Sequence, residues 1–131
     1  MTVHNALGCG YKEAVYDRAL GVELHQCELN FQPQFPVQVL HEDVLVGLFY
    51  LDFLVEEIVV IETKALAHLM TGDEQAQVIN YLKATGAPVG LLINFGRRRL
   101  EYHRIFPPRS NSGPVQRLGR DNVIKPPGFR E

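Results

Sequence analysis

The chain has 131 residues, 46% of them hydrophobic and 21% charged, with a formal net charge of −2. This suffices for one domain with a real core, and no apolar run approaches the ~18 residues a membrane helix needs. The start Met1-Thr2-Val3-His4-Asn5 lacks a signal-peptide pattern, and Cys9 and Cys27 fit neither a metal site nor a disulfide framework, so free thiols in a cytoplasmic protein are expected.

The small net charge hides an asymmetry. Residues 1–96 carry four Lys or Arg against 12 Asp or Glu, a balance of −8, whereas residues 97–131 carry nine against three, a balance of +6. An acidic body with a basic end can bind a cation at one part and a polyanion at the other, or pair with further copies of itself.

Residues 2–9 form a short lead-in containing His4. A helix is expected to open at Gly10 and run to about Cys27 or Leu29, with Val15, Ala19, Val22 and Tyr16, Leu20, Leu24 as a broad apolar stripe. Glu13 shares a face with Tyr16 at the start of this helix, and alone it reads as a first-turn acid complementing the helix dipole. Residues 30–34 read as a turn and residues 36–40 as the first strand. His41-Glu42-Asp43 turns the chain into a second strand over 44–55, where Gly47 marks a bulge or a close backbone approach. Glu56-Glu57 turns again into a third strand, 58–64, whose near-continuous apolar run fits a central, two-sided position.

A linker over 65–70 precedes Thr71-Gly72-Asp73-Glu74, which fits a capping box. The helix it opens ends at Gly86, before Pro88, with Val78, Ile79 and Leu82 as its core stripe and Gln77 and Tyr81 on one flank. Residues 88–94 form a buried strand reached by a crossover, hence parallel to its neighbour. Phe95-Gly96-Arg97 turns the chain into an amphipathic edge strand over 100–106. Residues 1–106 form the expected domain. Residues 107–131, rich in Pro, Gly, Ser and Arg, read as a disordered tail or an extended arm.

Three charges break the apolar hairpin of strands two and three. Glu62 and Lys64 are two apart and share a face of one strand. Asp52 lies on the partner strand. A two-residue turn at Glu56-Glu57 would pair positions summing to about 113 and leave Asp52 opposite Ile61, whereas an odd-length turn or one bulge sums to about 114 and opposes Asp52 to Glu62. The second register is expected. Two such carboxylates suit a hard divalent cation, with the lysine orienting water or stabilising charge. A salt-bridged hairpin edge is the competing reading.

Taken together, Glu13, Asp52, Glu62-Thr63-Lys64 and Gln77-x-x-x-Tyr81, in this order on these elements, resemble the PD-(D/E)XK nuclease superfamily. The Gln77/Tyr81 helix is similar to the branch containing the nuclease domains of bacterial recombination helicases. Gly10-x-x-Glu13-x-x-Tyr16 and the Val89–Gly96 strand resemble the small bacterial GxxExxY proteins. The resemblance implies an α/β, restriction-endonuclease-like αβββαβ core with a mixed sheet. Asp52 and Glu62 would be metal ligands, Lys64 the catalytic lysine and Glu13 an additional acid, with Gln77 and Tyr81 contacting phosphate or ordering a ligand. Leu51 stands where the motif's proline would be.

The expected function is a Mg²⁺-dependent nuclease, with Mn²⁺ able to substitute, acting on DNA or RNA. The alternative is a nuclease-fold, homo-oligomeric binding or assembly protein with weak or no catalysis. Arg97, Arg98 and Arg99 would contact nucleic-acid phosphates, pair with a neighbouring subunit, or form a solvated loop. Tail residues Val115, Leu118, Val123, Ile124 and Phe129 could lie along such a neighbour.

Overall fold

The structure is a computed structural model and describes residues 2–108. Its elements are α1 (Thr2–Leu7), α2 (Glu13–Gln26), β1 (Phe31–His41), β2 (Val44–Val55), β3 (Val59–Lys64), α3 (Gly72–Thr85), β4 (Val89–Asn94) and β5 (Glu101–Ile105). The strands lie in the order β1-β2-β3-β4-β5, with β3 and β4 parallel and the other neighbours antiparallel. The parallel pair follows from the α3 crossover, as the helix-then-strand order requires. The fold is the expected α/β arrangement with a mixed sheet.

The helices cover opposite faces. Tyr16, Leu20 and Leu24 of α2 pack with Phe53, Val55, Ile61, Ile93 and Phe95. Val78 and Leu82 of α3 pack with Val37, Leu51, Leu54, Val60 and Leu92 on the other side. β3 is therefore buried on both faces, which is why its sequence is apolar up to Glu62. At Gly90 of β4, an added Cβ would come within 2.6 Å of Val78 Cγ1, so glycine lets α3 approach the sheet.

Several boundaries differ from the expectation. Within the short lead-in, residues 2–7 form helix α1. Gly10 has φ 115° and belongs to a turn, so α2 opens at Glu13. Val15 and Val22 are exposed, because the buried stripe of α2 is the i, i+4, i+8 set beginning at Tyr16. β1 begins at Phe31, not near Pro36, since an edge strand tolerates Pro33 and Pro36. Beside Gly47 the ladder does slip, with Val39 opposite Gly47 and Leu40 opposite Leu45, so Val46 is the extra residue. The tail over 109–131 lies outside the described residues.

The capping box forms as expected. The Thr71 backbone N–H donates to Glu74 Oε2 at 2.7 Å, and the Asp73 N–H donates to Thr71 Oγ1 at 3.2 Å. Gly86 ends α3 with φ 75°.

Candidate active site

The β2–β3 turn decides the site. Glu56 and Glu57 both take positive φ, the Ile58 N–H donates to Val55 O at 3.0 Å, and Ile58 is an extra residue before β3. The turn is thus three residues long. Phe53 pairs with Ile61 and Val55 with Val59, so paired positions sum to 114. Continued by one step, this register sets Asp52 across from Glu62, as the odd-length turn requires.

Beyond Phe53 the regular ladder stops and a side chain takes over. Asp52 Oδ2 accepts the Thr63 backbone N–H at 2.8 Å. On the far side of β2, β1 skips Gln34 between the Pro33–Phe53 and Phe35–Leu51 pairs, and Gln34 has φ 51°. Asp52 thus has no ladder partner on either side, and the polar groups gather at this break in the pairing.

Glu13, in the first turn of α2, reaches into this gap. One carboxylate oxygen from each of Glu13, Asp52 and Glu62 lies within 4.8 Å of the others. Asp52 and Glu62 are buried, at 8% and 5% exposure, while Glu13 is open to solvent. Burial raises the Glu62 pKa, and the adjacent Asp52 raises it further against the opposing pull of Lys64. The Glu13 pKa is raised too, by partial desolvation of its carboxylate first and by Asp52 second, with Lys64 opposing. A metal-free cluster of this kind is held together against its own charge.

Lys64 does not neutralise it by direct contact. Among the described residues, the one basic side-chain nitrogen within 4 Å of a carboxylate is His103 Nε2, 3.2 Å from Glu101 Oε2. Lys64 Nζ instead donates to Gln77 Oε1 at 3.0 Å, across to α3. This disfavours the salt-bridged hairpin edge. Tyr81, one turn after Gln77, stacks on Phe49 with ring centroids 4.4 Å apart. Its hydroxyl lies near Glu62 and Gln77, and burial first, with the Glu62 and Asp52 charges, pushes its pKa up to about 12. Gln77 thus holds Lys64, with Tyr81 one turn further along the same helix face. Beside them an open groove of about 510 Å³ is lined by Lys64, Asp73, Glu74, Ala76, Gln77 and Asn80.

Tyr16 explains its own spacing from Glu13. Its ring stacks on Phe95 at 4.8 Å, and its hydroxyl donates to Gly8 O at 2.8 Å while accepting the Tyr11 N–H at 3.3 Å. It fixes the start of α2, and so Glu13, against the end of β4. Arg97, Arg98 and Arg99 follow β4, whose Asn94 pairs with Lys64, so they emerge at the site's end of the sheet. The Arg97 carbonyl accepts from buried His4 at 2.8 Å, and Arg98 and Arg99 are exposed.

One residue escaped the sequence reading. Asp17 accepts a hydrogen bond from Thr63 Oγ1, which also lies 3.1 Å from Asp52 Oδ2. Burial raises the Asp17 pKa, the Thr63 bond opposes this, and Asp52 adds to it. The available signal was its position one turn after Glu13 on the same helix face.

A family model of the PD-(D/E)XK nuclease superfamily matches residues 1–105. The chain belongs to that superfamily. PD-(D/E)XK nucleases typically use divalent metals, and this chain has a carboxylate cluster that could hold one. Among solved structures, the one described as "Crystal structure of SSO0001" is similar with a TM-score of 0.59 at 17% identity, over 76% of this chain and 52% of that one. The chain thus spans about half the length of that protein, and the likeness is one of fold. No curated protein matches the chain. No helix among the described residues is long and apolar enough to cross a membrane.

Proposed function

We propose that the chain is a Mg²⁺-dependent phosphodiesterase that cleaves DNA or RNA, of the GxxExxY type and with a QxxxY helix. The observation that carries this reading is the convergence of Glu13, Asp52 and Glu62, oxygen donors within 4.8 Å of one another, beside a lysine that pairs with none of them. A donor set of carboxylates without sulfur or imidazole suits a hard cation, Mg²⁺ first and Mn²⁺ in its place.

In this reading Asp52, Glu62 and Glu13 hold the cation. The cation would polarise the scissile phosphate and acidify a water. Lys64, held by Gln77, supplies positive charge where negative charge develops on the phosphate and can orient the attacking water. Tyr81 lies near Glu62. The exposed Arg98 and Arg99, with Arg97, bind flanking phosphates without reading sequence. Residues 1–106 would form the nuclease domain, and residues 107–131 an arm.

The test is cleavage of labelled DNA and RNA in Mg²⁺ or Mn²⁺ by wild type beside Glu62→Ala, Asp52→Ala and Lys64→Ala. The two carboxylate variants should be inactive and bind metal weakly. Lys64→Ala should bind metal as well as wild type, or better, and lose roughly 10²- to 10⁴-fold in rate. Wild type that cuts nothing would leave the second reading, a nuclease-fold protein that binds or assembles. That reading draws on the exposed Val39, Leu40, Val44, Leu45 and Val46 at the β1–β2 tip, an apolar surface suited to a second copy. Light scattering would report the resulting oligomer, and a monomer at micromolar concentration would refute it.

A further inference from the structure

Resting on the cation-site reading above, we infer that Asp17 is a positioning residue that holds the Thr63 hydroxyl proton away from Asp52 and so keeps Asp52 available to a divalent cation. Thr63 is fully buried between Glu62 and Lys64, and its hydroxyl has a single hydrogen to donate. Two carboxylates compete for it. Asp17 Oδ1 is the closer acceptor, and Asp52 Oδ2 lies at 3.1 Å.

Asp52 Oδ2 already accepts the Thr63 backbone N–H at 2.8 Å, which fixes the direction of the carboxylate. A second donor on that oxygen would withdraw electron density from the group that must bind the cation. Asp17 prevents this by taking the hydroxyl hydrogen itself. Its position on α2 one turn after Glu13 means that the same helix supplies a ligand and a guard for a second ligand.

The test is a double-mutant cycle read by calorimetric Mn²⁺ affinity, with thermal melting to verify folding. Asp17→Ala frees the hydroxyl to turn to Asp52 and should weaken Mn²⁺ binding about tenfold, the scale of one hydrogen bond to a charged group. Asp17→Asn keeps an acceptor oxygen and should bind nearly as well as wild type. In a Thr63→Val background, where no hydroxyl competes, Asp17→Ala should have no further effect. An Asp17→Asn loss as large as that of Asp17→Ala, persisting in Thr63→Val, would overturn the proposal and leave a simple charge effect. Should Asp17→Ala not fold, Asp17→Leu takes its place in the same cycle, and a loss that vanishes in Thr63→Val supports the proposal while a loss that persists there, or no loss at all, refutes it. Wild type that binds no Mn²⁺ overturns the cation site itself and this inference with it, whereas normal wild-type binding without coupling overturns only the inference.

Discussion

Lys64 and Gln77 are joined at 3.0 Å across the gap between β3 and α3. A lysine amine at the end of a four-carbon stem is otherwise free to rotate, and ordering it costs side-chain entropy that the amide meets in advance. Gln77→Ala should therefore slow cleavage while leaving Mg²⁺ affinity unchanged. The expected loss is roughly tenfold, well short of that for Lys64→Ala. Single-turnover rates beside metal titrations check it, and a weaker Mg²⁺ affinity would assign Gln77 to the metal instead.

Glu62 sets the pH response of the metal-free fold. Burial and Asp52 raise its pKa in the folded state, whereas the unfolded chain has the ordinary value of roughly 4.3. The folded protein thus binds more protons. Stability from this group is fully present below the ordinary carboxylate range and is lost as pH rises through neutrality toward the raised value. Melting in EDTA should fall between pH 6 and pH 8. Mg²⁺ should restore more at the higher pH, with about 2.7 kcal/mol expected at a concentration of 100 Kd. Glu62→Gln should make the EDTA profile shallower, the raised Asp17 carboxyl leaving a residual fall.

Tyr81→Phe removes a hydroxyl that lies near Glu62 and Gln77 but keeps the stack on Phe49. Activity should drop by less than in Gln77→Ala, and the melting temperature should change little. A loss equal to that of Lys64→Ala would give the hydroxyl a direct part in the chemistry.

Arg98 and Arg99 are exposed and pair with no described acid. Replacing both with alanine should weaken DNA binding across all sequences. The slope of log affinity against log salt should become shallower by about 1 per lost phosphate contact. An unchanged slope, measured by fluorescence anisotropy at several salt concentrations, would make the loop a bystander.

Gly96→Ala should destabilise by roughly 1–3 kcal/mol or more, the cost of overpacking. A Cβ there would strike the Leu66 backbone, which cannot rotate aside. Leu66 is also clamped by Asn94, whose Oδ1 accepts the Leu66 N–H at 2.8 Å. Denaturant unfolding measures the effect, and a variant as stable as wild type would show that the 65–70 segment moves freely.

The sequence carried most of the sheet and the site because the decisive signals were local. Glu62 and Lys64 share a face by strand period alone, and Thr71-Gly72-Asp73-Glu74 announces its helix by hydrogen bonds within four residues. The register of Asp52 against Glu62 followed from turn parity, which the pattern narrowed to two choices. What was not legible depended on distant partners. Residues 2–7 become helical where His4 reaches Arg97 O, 93 positions away. Asp17 acquires its place from Thr63, 46 positions on. Val15 and Val22 matched a helical stripe, yet only the sheet decides which of two adjacent stripes is covered.

The crowding of Glu13, Asp17, Asp52 and Glu62 around one gap also bears on how such a chain would drift. Glu13, Asp17 and Glu62, whose pKa values burial raises, each work against folding when no cation is present, so neutral replacements at Glu62 or Asp17 should be gains for a protein kept only as a scaffold. A lineage released from metal binding would be expected to shed these acids early, well before it lost Tyr16 or Asn94, which the fold needs in any case. A descendant with glutamine at position 62 and an intact Tyr16–Phe95 stack would be the mark of an abandoned site on a surviving frame.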